Sequence, residues 1–112
     1  MAVFAIGIEI HVKNAGKGMD RTKLEQPVRK KMTKLGLSDL VTDYRSKTFR
    51  LPPGMYAYNG TIFASDLTDW LAKELETEFC TCTIIAVEIR DWGVLLNQTK
   101  ASSASVRLPY RR

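Results

Sequence analysis

The sequence predicts a single α+β domain whose secondary-structure elements follow the order β-α-β-β-α-β. Several segments alternate apolar and polar residues, as half-buried strands do, and two segments repeat apolar residues every three or four positions, as amphipathic helices do. The chain has 112 residues and 12.7 kDa, with 45% hydrophobic and 26% charged residues, which is ordinary for one globular domain. A core of this size is thin, so we expect a homodimer interface to supplement it.

The first strand is predicted at residues 2–12 and the first helix at residues 22–36. In the strand, the even-numbered residues from 4 to 12 are apolar, while Glu9 and His11 share the other face. In the helix, Thr22 and Glu25 have the spacing of a capping box, and apolar residues recur at 24, 28, 32 and 35 before Gly36. Pro27 predicts a kink or a later start of the helix.

The middle of the chain predicts a pair of antiparallel strands. The stretch "LVTDYRSKTFRL" is rich in β-branched and aromatic residues, "PPG" is a turn, and "MYAYNGTIF" alternates again. A second helix is predicted to begin with Ser65 as its N-cap. The apolar face of this helix comprises Leu67, Trp70, Leu71, Leu75 and Phe79. The last strand is "TIIAVEIRDW", ending at Trp92.

This order of elements is that of the split βαβ or ferredoxin-like fold, an antiparallel sheet with two helices on one face. The predicted domain covers residues 1–96, and residues 97–112 are predicted to form a flexible basic tail. The opposite face of the sheet has nothing in the chain to cover it. We expect that face to meet solvent, a second subunit or a ligand.

The net charge of +5 is unevenly distributed. Residues 11–50 hold eleven Lys/Arg against four Asp/Glu, residues 51–96 hold two against seven, and residues 97–112 hold four cations and no acid. A concentrated positive field attracts polyanions at long range. A solvated helix surface is the alternative explanation for the cations. The basic segments favour single-stranded or hairpin RNA as the partner.

The candidate RNA-binding residues are cations that could hold phosphates and tyrosines that could stack on unpaired bases. They are Lys13, Lys17, Lys30, Lys31, Lys34, Tyr44, Lys47, Arg50, Tyr56 and Tyr58. Tyr56 and Tyr58 have the same parity, so half-buried core or dimer interface is an equal alternative for them.

Four residues are candidates for catalysis of RNA cleavage. Arg29 and Arg45 could stabilise a pentavalent phosphorane, and His11 or Asp43 could transfer a proton. His11 and Glu9 would form a histidine–carboxylate pair on one strand face. The alternatives are an exposed strand histidine without a catalytic role, and a β-turn or surface ion pair for Asp43 and Arg45.

Metal and cofactor sites are not expected. Cys80, Cys82 and the distant His11 lack the spacing of a structural zinc site, and "NAGKGMD" lacks the end of a P-loop. The two cysteines, too close in one strand to form a disulfide together, indicate a reducing compartment. With neither a membrane span nor a signal-peptide pattern, the sequence predicts a cytoplasmic protein.

Two stretches, "MTKLGLSDLVTDYRSKTFRL" and "MYAYNGTIFASDLTDWLAKEL", resemble the GhoS-type antitoxins of type V toxin–antitoxin systems. The similar positions are Met32 to Ser38, Val41 to Asp43 and Ala64 to Leu67, within a similarity from Phe4 to Trp92. The resemblance implies the ferredoxin-like fold, which that family shares with CRISPR-associated small nucleases. It also implies an endoribonuclease acting on the messenger of a membrane-active toxin, with Arg29 at the position of a helix-one arginine of the family.

A non-catalytic interaction protein is the competing hypothesis. Such a protein, for example a phage- or prophage-type inhibitor, would use the open sheet face to dimerise or to bind a partner protein. The acidic segment 66–91 favours this alternative, because an acidic face can dock on a basic protein surface.

Overall fold

The computed structural model describes residues 2–90, 98–102 and 104–109 and confirms the α+β class. Within them lie two α-helices, a short 3₁₀ turn at Asn14–Gly16, and seven strands in two sheets, where one sheet was predicted. The helices are α1 (Arg21–Lys34) and α2 (Ala64–Leu75). The strands are β1 (Ala2–Val12), β2 (Leu40–Thr42), β3 (Thr48–Arg50), β4 (Met55–Gly60), β5 (Cys80–Glu88), β6 (Gln98–Thr99) and β7 (Val106–Arg107).

The main sheet has the strand order β4-β1-β5, and both of its pairings are antiparallel. The even-numbered residues of β1 face the two helices, as their alternation predicts, and form the larger apolar core with them. This main core comprises Phe4, Ile6, Ile8, Ile10, Leu24, Val28, Met32, Leu37, Leu67, Leu71, Leu75 and Cys80. β1 is therefore the central strand on which both helices and both neighbouring strands are assembled.

The ends of α1 are set by Asp20 and Gly36. The Asp20 carboxylate accepts a hydrogen bond from the backbone N–H of Thr22, so Asp20 is the N-cap and the predicted capping box of Thr22 and Glu25 is wrong. Gly36 has a φ of +94°, and the N–H of Leu37 donates to the carbonyl of Met32 at 3.0 Å. The N–H of Gly36 also donates to the carbonyl of Thr33. The two bonds form a Schellman motif, which ends the helix at the predicted glycine. Pro27 lies inside the helix.

The start of α2 differs from the prediction by two residues. Phe63 occupies the N-cap position, where its side chain makes no capping hydrogen bond, and Ser65 lies inside the first turn. Leu67, Leu71 and Leu75 are fully buried, as predicted. Phe79 lies beyond the end of the helix but still packs against the main core.

The predicted strand at residues 40–51 is instead a hairpin, β2 and β3, that turns at residues 43–47. Asp43 explains the turn: its Oδ1 accepts the backbone N–H groups of Arg45 and Lys47, both at 2.9 Å. Ser46 adopts a φ of +64° within it. A carboxylate that satisfies two backbone donors stabilises a turn within a sequence whose composition otherwise favours a strand.

The predicted pairing across "PPG" is therefore wrong. β4 pairs with β1 instead of β3, and the turn carries the chain from the second sheet to the main sheet. Gly54 permits this course with a φ of +83°, while its carbonyl accepts the N–H of Ile8 at 2.8 Å. A two-way backbone bridge between Ser38 and Ala57 holds the approach to β2 against β4.

The second sheet has the order β6-β3-β2-β7 and includes part of the predicted basic tail, residues 97–112. β7 lies parallel to β2, with Val41 opposite Val106. The apolar residues of this sheet pack on the face of the main sheet that the sequence left uncovered. This second core comprises Val3, Val41, Ala57, Val106 and Leu108. Val106 and Leu108 are buried in this core, on either side of the exposed Arg107.

The rest of that face stays exposed along β5. Ile85 and Val87 are 66% and 57% accessible, respectively, although both are apolar. Regular pairing of β5 ends at Glu88, and the predicted continuation through Asp91 and Trp92 lies outside the described residues. Only part of the open face is therefore covered by the second sheet.

Candidate nucleic-acid interface

A groove of about 520 Å³ lies between β1, α1 and the turn that leads into β4. We call it the arginine groove. It is lined by Ile8, Glu9, Ile10, Arg21, Glu25, Arg29, Asp39, Arg50, Leu51, Pro52, Pro53, Gly54, Met55 and Tyr56. Three arginines from two different regions of the chain thus face one surface depression.

The groove exists because β4 leaves the edge of β1 early. The pairing of the two strands ends at Gly7 and Met55, so β1 continues without a strand neighbour on that side among the described residues. Arg21 takes the place of the missing strand: its Nη2 donates to the carbonyl of Ile10 at 2.8 Å. A guanidinium therefore satisfies an edge carbonyl that a strand would otherwise pair.

Glu25 links two of the arginines. Its carboxylate accepts hydrogen bonds from Nε of Arg21 and, at 2.8 Å, from Nη2 of Arg29, each one helical turn away. The Glu25 side chain is only 12% exposed, whereas those of Arg21 and Arg29 are 64% and 58% exposed. The carboxylate is enclosed, and the two guanidinium groups face the solvent.

The pKa values at this cluster move in the direction expected of an ion pair. The hydrogen bond from Arg21 has the largest influence on Glu25; although burial acts in the opposite direction, the pKa of Glu25 falls below its usual value. The hydrogen bond to Glu25 raises the pKa of Arg29. Glu25 is consequently an ionised carboxylate that orients the two arginines, and it is a poor acceptor for a catalytic proton.

Two further contacts extend the cluster across the groove. Nη1 of Arg29 lies 3.4 Å from the hydroxyl of Tyr56, to which it donates. On the far side, Nη1 of Arg50 donates to Asp39. Each arginine keeps N–H groups that these bonds do not use, since a guanidinium has five. The groove can therefore grip a phosphate with donors from more than one arginine.

The exposed side of α1 continues this positive surface. The helix carries six Lys/Arg residues, and Glu25 is its one acid. Lys23, Lys30 and Lys34 lie opposite the buried residues Leu24, Val28 and Met32 and have no ion-pair partner in the described part of the chain. We call these three the lysine stripe. It extends for about 16 Å along the helix, long enough to meet several phosphates of a nucleic-acid strand.

The predicted RNA-binding residues separate into two groups. Arg50 and Tyr56 line the arginine groove together with the catalytic candidate Arg29, and Lys30 and Lys34 belong to the lysine stripe. The others lie elsewhere or are already paired.

Among that second group, Lys13 pairs with Glu76 and Lys31 with Glu74, and Lys17 is an exposed residue beyond the 3₁₀ turn. Tyr44 lies under Arg45, whose guanidinium carbon is 5.5 Å from the ring centroid, and the neighbouring Lys47 is exposed in the same turn.

Tyr58 and Tyr56 are on the helix side of the main sheet. Both rings are half-buried against the main core, and the ring centroid of Tyr58 is 6.1 Å from that of Trp70. This is the half-buried core position that the sequence left as an alternative to base stacking. The hydroxyl of Tyr56 accepts from Arg29 in the arginine groove.

The structure does not bring the four catalytic candidates together. His11 lies on the exposed face of β1, where Nε2 is 2.8 Å from Oγ1 of Thr83 and Nδ1 is 3.6 Å from Glu9. Asp43 and Arg45 belong to the β2–β3 turn. Within the described residues, no hydrogen bond or ion pair joins Arg29, His11 and Asp43.

The carboxyl of Asp43 has a structural role in the β2–β3 turn. Burial, the largest single influence, raises its pKa, but the hydrogen bonds from Lys47 and Arg45 outweigh burial and lower the pKa below the usual value. The side chain is 3% exposed and is paired with Arg45. This arrangement matches the turn and ion-pair alternative.

Both cysteines are free thiols. Burial, with a smaller contribution from the neighbouring Cys80, raises the pKa of Cys82 to about 11. Cys82 is therefore a neutral thiol near pH 7 and a weak nucleophile.

Sequence reasoning missed Arg21, Glu25 and Asp39 as groove residues. One signal was available: Arg21, Glu25 and Arg29 follow each other at four-residue spacing, which aligns them on one helix face. Asp39 could not be assigned in this way, because it enters the groove through the hairpin that brings Arg50 beside it.

The described residues contain no group of three or more His, Cys, Asp or Glu side chains arranged to hold a metal ion. Neither α1 nor α2 is long and apolar enough to cross a membrane. Comparison of the chain with protein-family models, with curated proteins and with solved structures gives no match.

Proposed function

We propose that this protein binds the phosphate backbone of single-stranded or hairpin RNA through the arginine groove and the lysine stripe. The observation that carries the proposal is that α1 exposes cations on two adjoining faces, Arg21 and Arg29 at the groove and Lys30 and Lys34 on the stripe. The exposed residues between these faces, Gln26 and Thr33, are uncharged. The one acid on this helix, Glu25, is enclosed by two arginines and does not interrupt the positive surface. Such a surface binds polyanions with a strong dependence on salt.

Within this proposal, the arginines and the lysines have different roles. Arg29 and Arg50 offer planar N–H groups that can hold one phosphate from two sides of the groove. The lysines are mobile point charges that follow the strand beyond it. Pro52, Pro53 and Tyr56 line the same groove and would lie beside the bound strand.

The GhoS-type resemblance supplies a narrower form of the proposal, an antitoxin endoribonuclease that cleaves a toxin messenger. Arg29 would then stabilise the phosphorane in the groove. The ferredoxin-like fold is part of the same proposal. Two observations support it: β1 lies between two antiparallel neighbours, and the isolated Ser38–Ala57 bridge lies beside β4, where the fourth strand of that fold would pair.

The first test measures binding of a labelled single-stranded RNA by fluorescence anisotropy over a series of salt concentrations. We expect the double variant Lys30→Gln/Lys34→Gln to bind about tenfold or more weakly. We also expect it to lower the slope of log affinity against log salt by about 1.4, because each lost contact with a single strand contributes about 0.7. Lys73→Gln/Lys100→Gln removes the same charge from other exposed positions and is the matched control. Equal losses in the two variants would reject the α1 surface.

The second test separates binding from cleavage. The wild type and Arg29→Ala are incubated with single-stranded and hairpin RNAs, with EDTA and with magnesium. Discrete products that Arg29→Ala abolishes while the circular dichroism spectrum is retained would establish the endoribonuclease. Salt-dependent binding without products would establish an RNA-binding protein, and absence of both would reject the RNA proposal.

A further inference from the structure

The outer edge of β5 is a second surface that the RNA proposal does not use. β5 is the last strand of the main sheet, and its odd-numbered residues pair with β1, as in the Ile89 N–H donated to the carbonyl of Val3. Because backbone groups alternate in direction, those of the even-numbered residues Cys82, Ile84 and Ala86 point away from β1. Within the described ranges no strand pairs with this edge.

This edge lacks the features that normally keep a strand edge unpaired. Natural edges carry lysines, prolines or bulges, but the sequence from Cys80 to Val87 has neither a charge nor a proline. The nine residues of the strand pair with β1 in regular register, without a bulge. Ile85 and Val87 also expose their side chains beside this edge. The edge is long, regular and apolar, which suits pairing with another strand.

The helix above β5 leaves room for a neighbour. Glu74 marks the flank of α2 that faces α1, because it pairs with Lys31. At about 100° per residue, Ser65, Thr68 and Ala72 occupy the opposite flank, which lies over the free edge of β5. These three side chains are small and uncharged, and the exposed Asp69 lies about 40–60° further toward the solvent side of the helix, so the flank leaves room for a second copy.

We propose that two copies of this chain form a two-fold dimer in which β5 pairs with β5 in antiparallel orientation, with Ile84 on the symmetry axis. This register pairs all nine residues of the strand, from Cys80 against Glu88 of the second copy. About ten backbone hydrogen bonds can form, since the outward-pointing even residues face each other. On the open face, Thr83 of each copy lies beside Ile85 of the other.

Charge complementarity at the strand ends favours a second copy as the occupant. Arg90 is 85% exposed and pairs with Glu88 of its own chain, and the same register brings it to the level of the exposed Glu78 of the second copy, so that its remaining N–H groups can reach a second carboxylate. The two-fold symmetry makes one surface complementary to itself. The dimer would have a continuous six-stranded sheet with the α1 surfaces of both copies on the same side.

The oligomeric state tests this inference independently of RNA. Sedimentation velocity over a range of protein concentrations should give a species of about twice 12.7 kDa. Ile85→Lys should weaken the dimer by about tenfold or more, because a lysine on an edge strand opposes pairing. Met55→Lys, which changes an exposed apolar residue of β4 at the opposite edge of the main sheet, is the matched control and should leave the dimer intact. A monomer at every concentration, or equal effects of both variants, would overturn the proposal.

Cysteine crosslinking tests the register. Thr83→Cys and Ile85→Cys proteins, mixed under mild oxidation, should form an intermolecular disulfide, because directly opposed residues of a non-hydrogen-bonded pair are about 4.5 Å apart at Cα. The wild type should not crosslink, since Cys80 and Cys82 would face Glu88 and Ala86 of the second copy. If Ile85→Cys protein crosslinks efficiently with itself, the two-fold axis lies at Ile85, and the proposed register is wrong.

Discussion

The main core and the second core are built by different means. The main core rests on long elements: β1 has eleven residues, α1 fourteen, α2 twelve and β5 nine. The second sheet consists of strands of two or three residues. Among the described residues, the main core comprises twelve buried side chains and the second core five. Length and apolar volume stabilise the main core.

Side-chain hydrogen bonds contribute more to holding the second sheet together than they do in the main core. Oγ1 of Thr42 lies 3.2 Å from Oγ1 of Thr48 and 2.6 Å from Oγ of Ser105, which joins three segments of the chain. Asp43 and Thr48 are the buried polar residues of the described chain, and both belong to this sheet. The comparison teaches that one chain can combine a core specified by apolar periodicity with a smaller unit specified by individual hydrogen bonds.

The largest effect is expected from the main core. Leu71→Ala should lower the free energy of unfolding by about 2–5 kcal/mol, because it leaves a cavity beneath α2. Chemical denaturation followed by circular dichroism measures the loss. The exposed neighbour Lys73→Ala is the control and should change stability by less than about 0.5 kcal/mol. Similar values for the two variants would contradict the packing described for α2.

A smaller, local effect is expected from the second core. Val106→Ala removes two buried methyl groups and should lower stability by about 1.5 kcal/mol. Amide hydrogen exchange should show lost protection in β2 and β3, while β1 and β5 remain protected. The adjacent exposed Arg107→Ala is the control. Uniform loss of protection through both sheets would show that the two cores unfold as one unit.

The smallest effect is expected from the Asp43 carboxylate. Because its pKa is lowered in the folded state, it stabilises the β2–β3 turn above the ordinary aspartate pKa of about 3.9, and this stabilisation is lost as pH falls through the folded-state value. In an NMR titration from pH 7 to 2.5, the amide of Val41 should shift or lose protection before that of Ile6. Asp43→Asn should reduce this difference. If the Val41 and Ile6 amides of the wild type lose protection at the same pH, the proposed stabilisation of the turn by the Asp43 carboxylate is wrong.

Long elements with a regular apolar repeat could be predicted from the sequence, and short ones could not. β1 and the leucines of α2 were predicted, because each repeat extends over several turns or pleats. The turn at Asp43 was missed, because its valine, threonine, tyrosine and phenylalanine neighbours have the composition of a continuous strand. β7 has two residues, too few for any periodicity.

The same distinction applies to the candidate site. Arg29, Arg50 and Tyr56 were each chosen for their chemistry, and the structure places all three in one groove. The groove itself results from long-range geometry, the departure of β4 from β1 beyond Gly7. No local pattern in the sequence reports where two paired strands separate.

The parallel pairing of Val41 with Val106 has a consequence for synthesis of the chain. At about 5–20 residues per second, a ribosome adds residue 106 about 3–13 s after residue 41, whereas a hairpin forms in microseconds. The β2–β3 hairpin therefore waits for seconds with one edge open, while every strand and helix of the main core has already been translated. A chain that ends near residue 90 should assemble the main core but leave Val41 exposed, so the nascent chain presents an aggregation-prone strand edge at that stage.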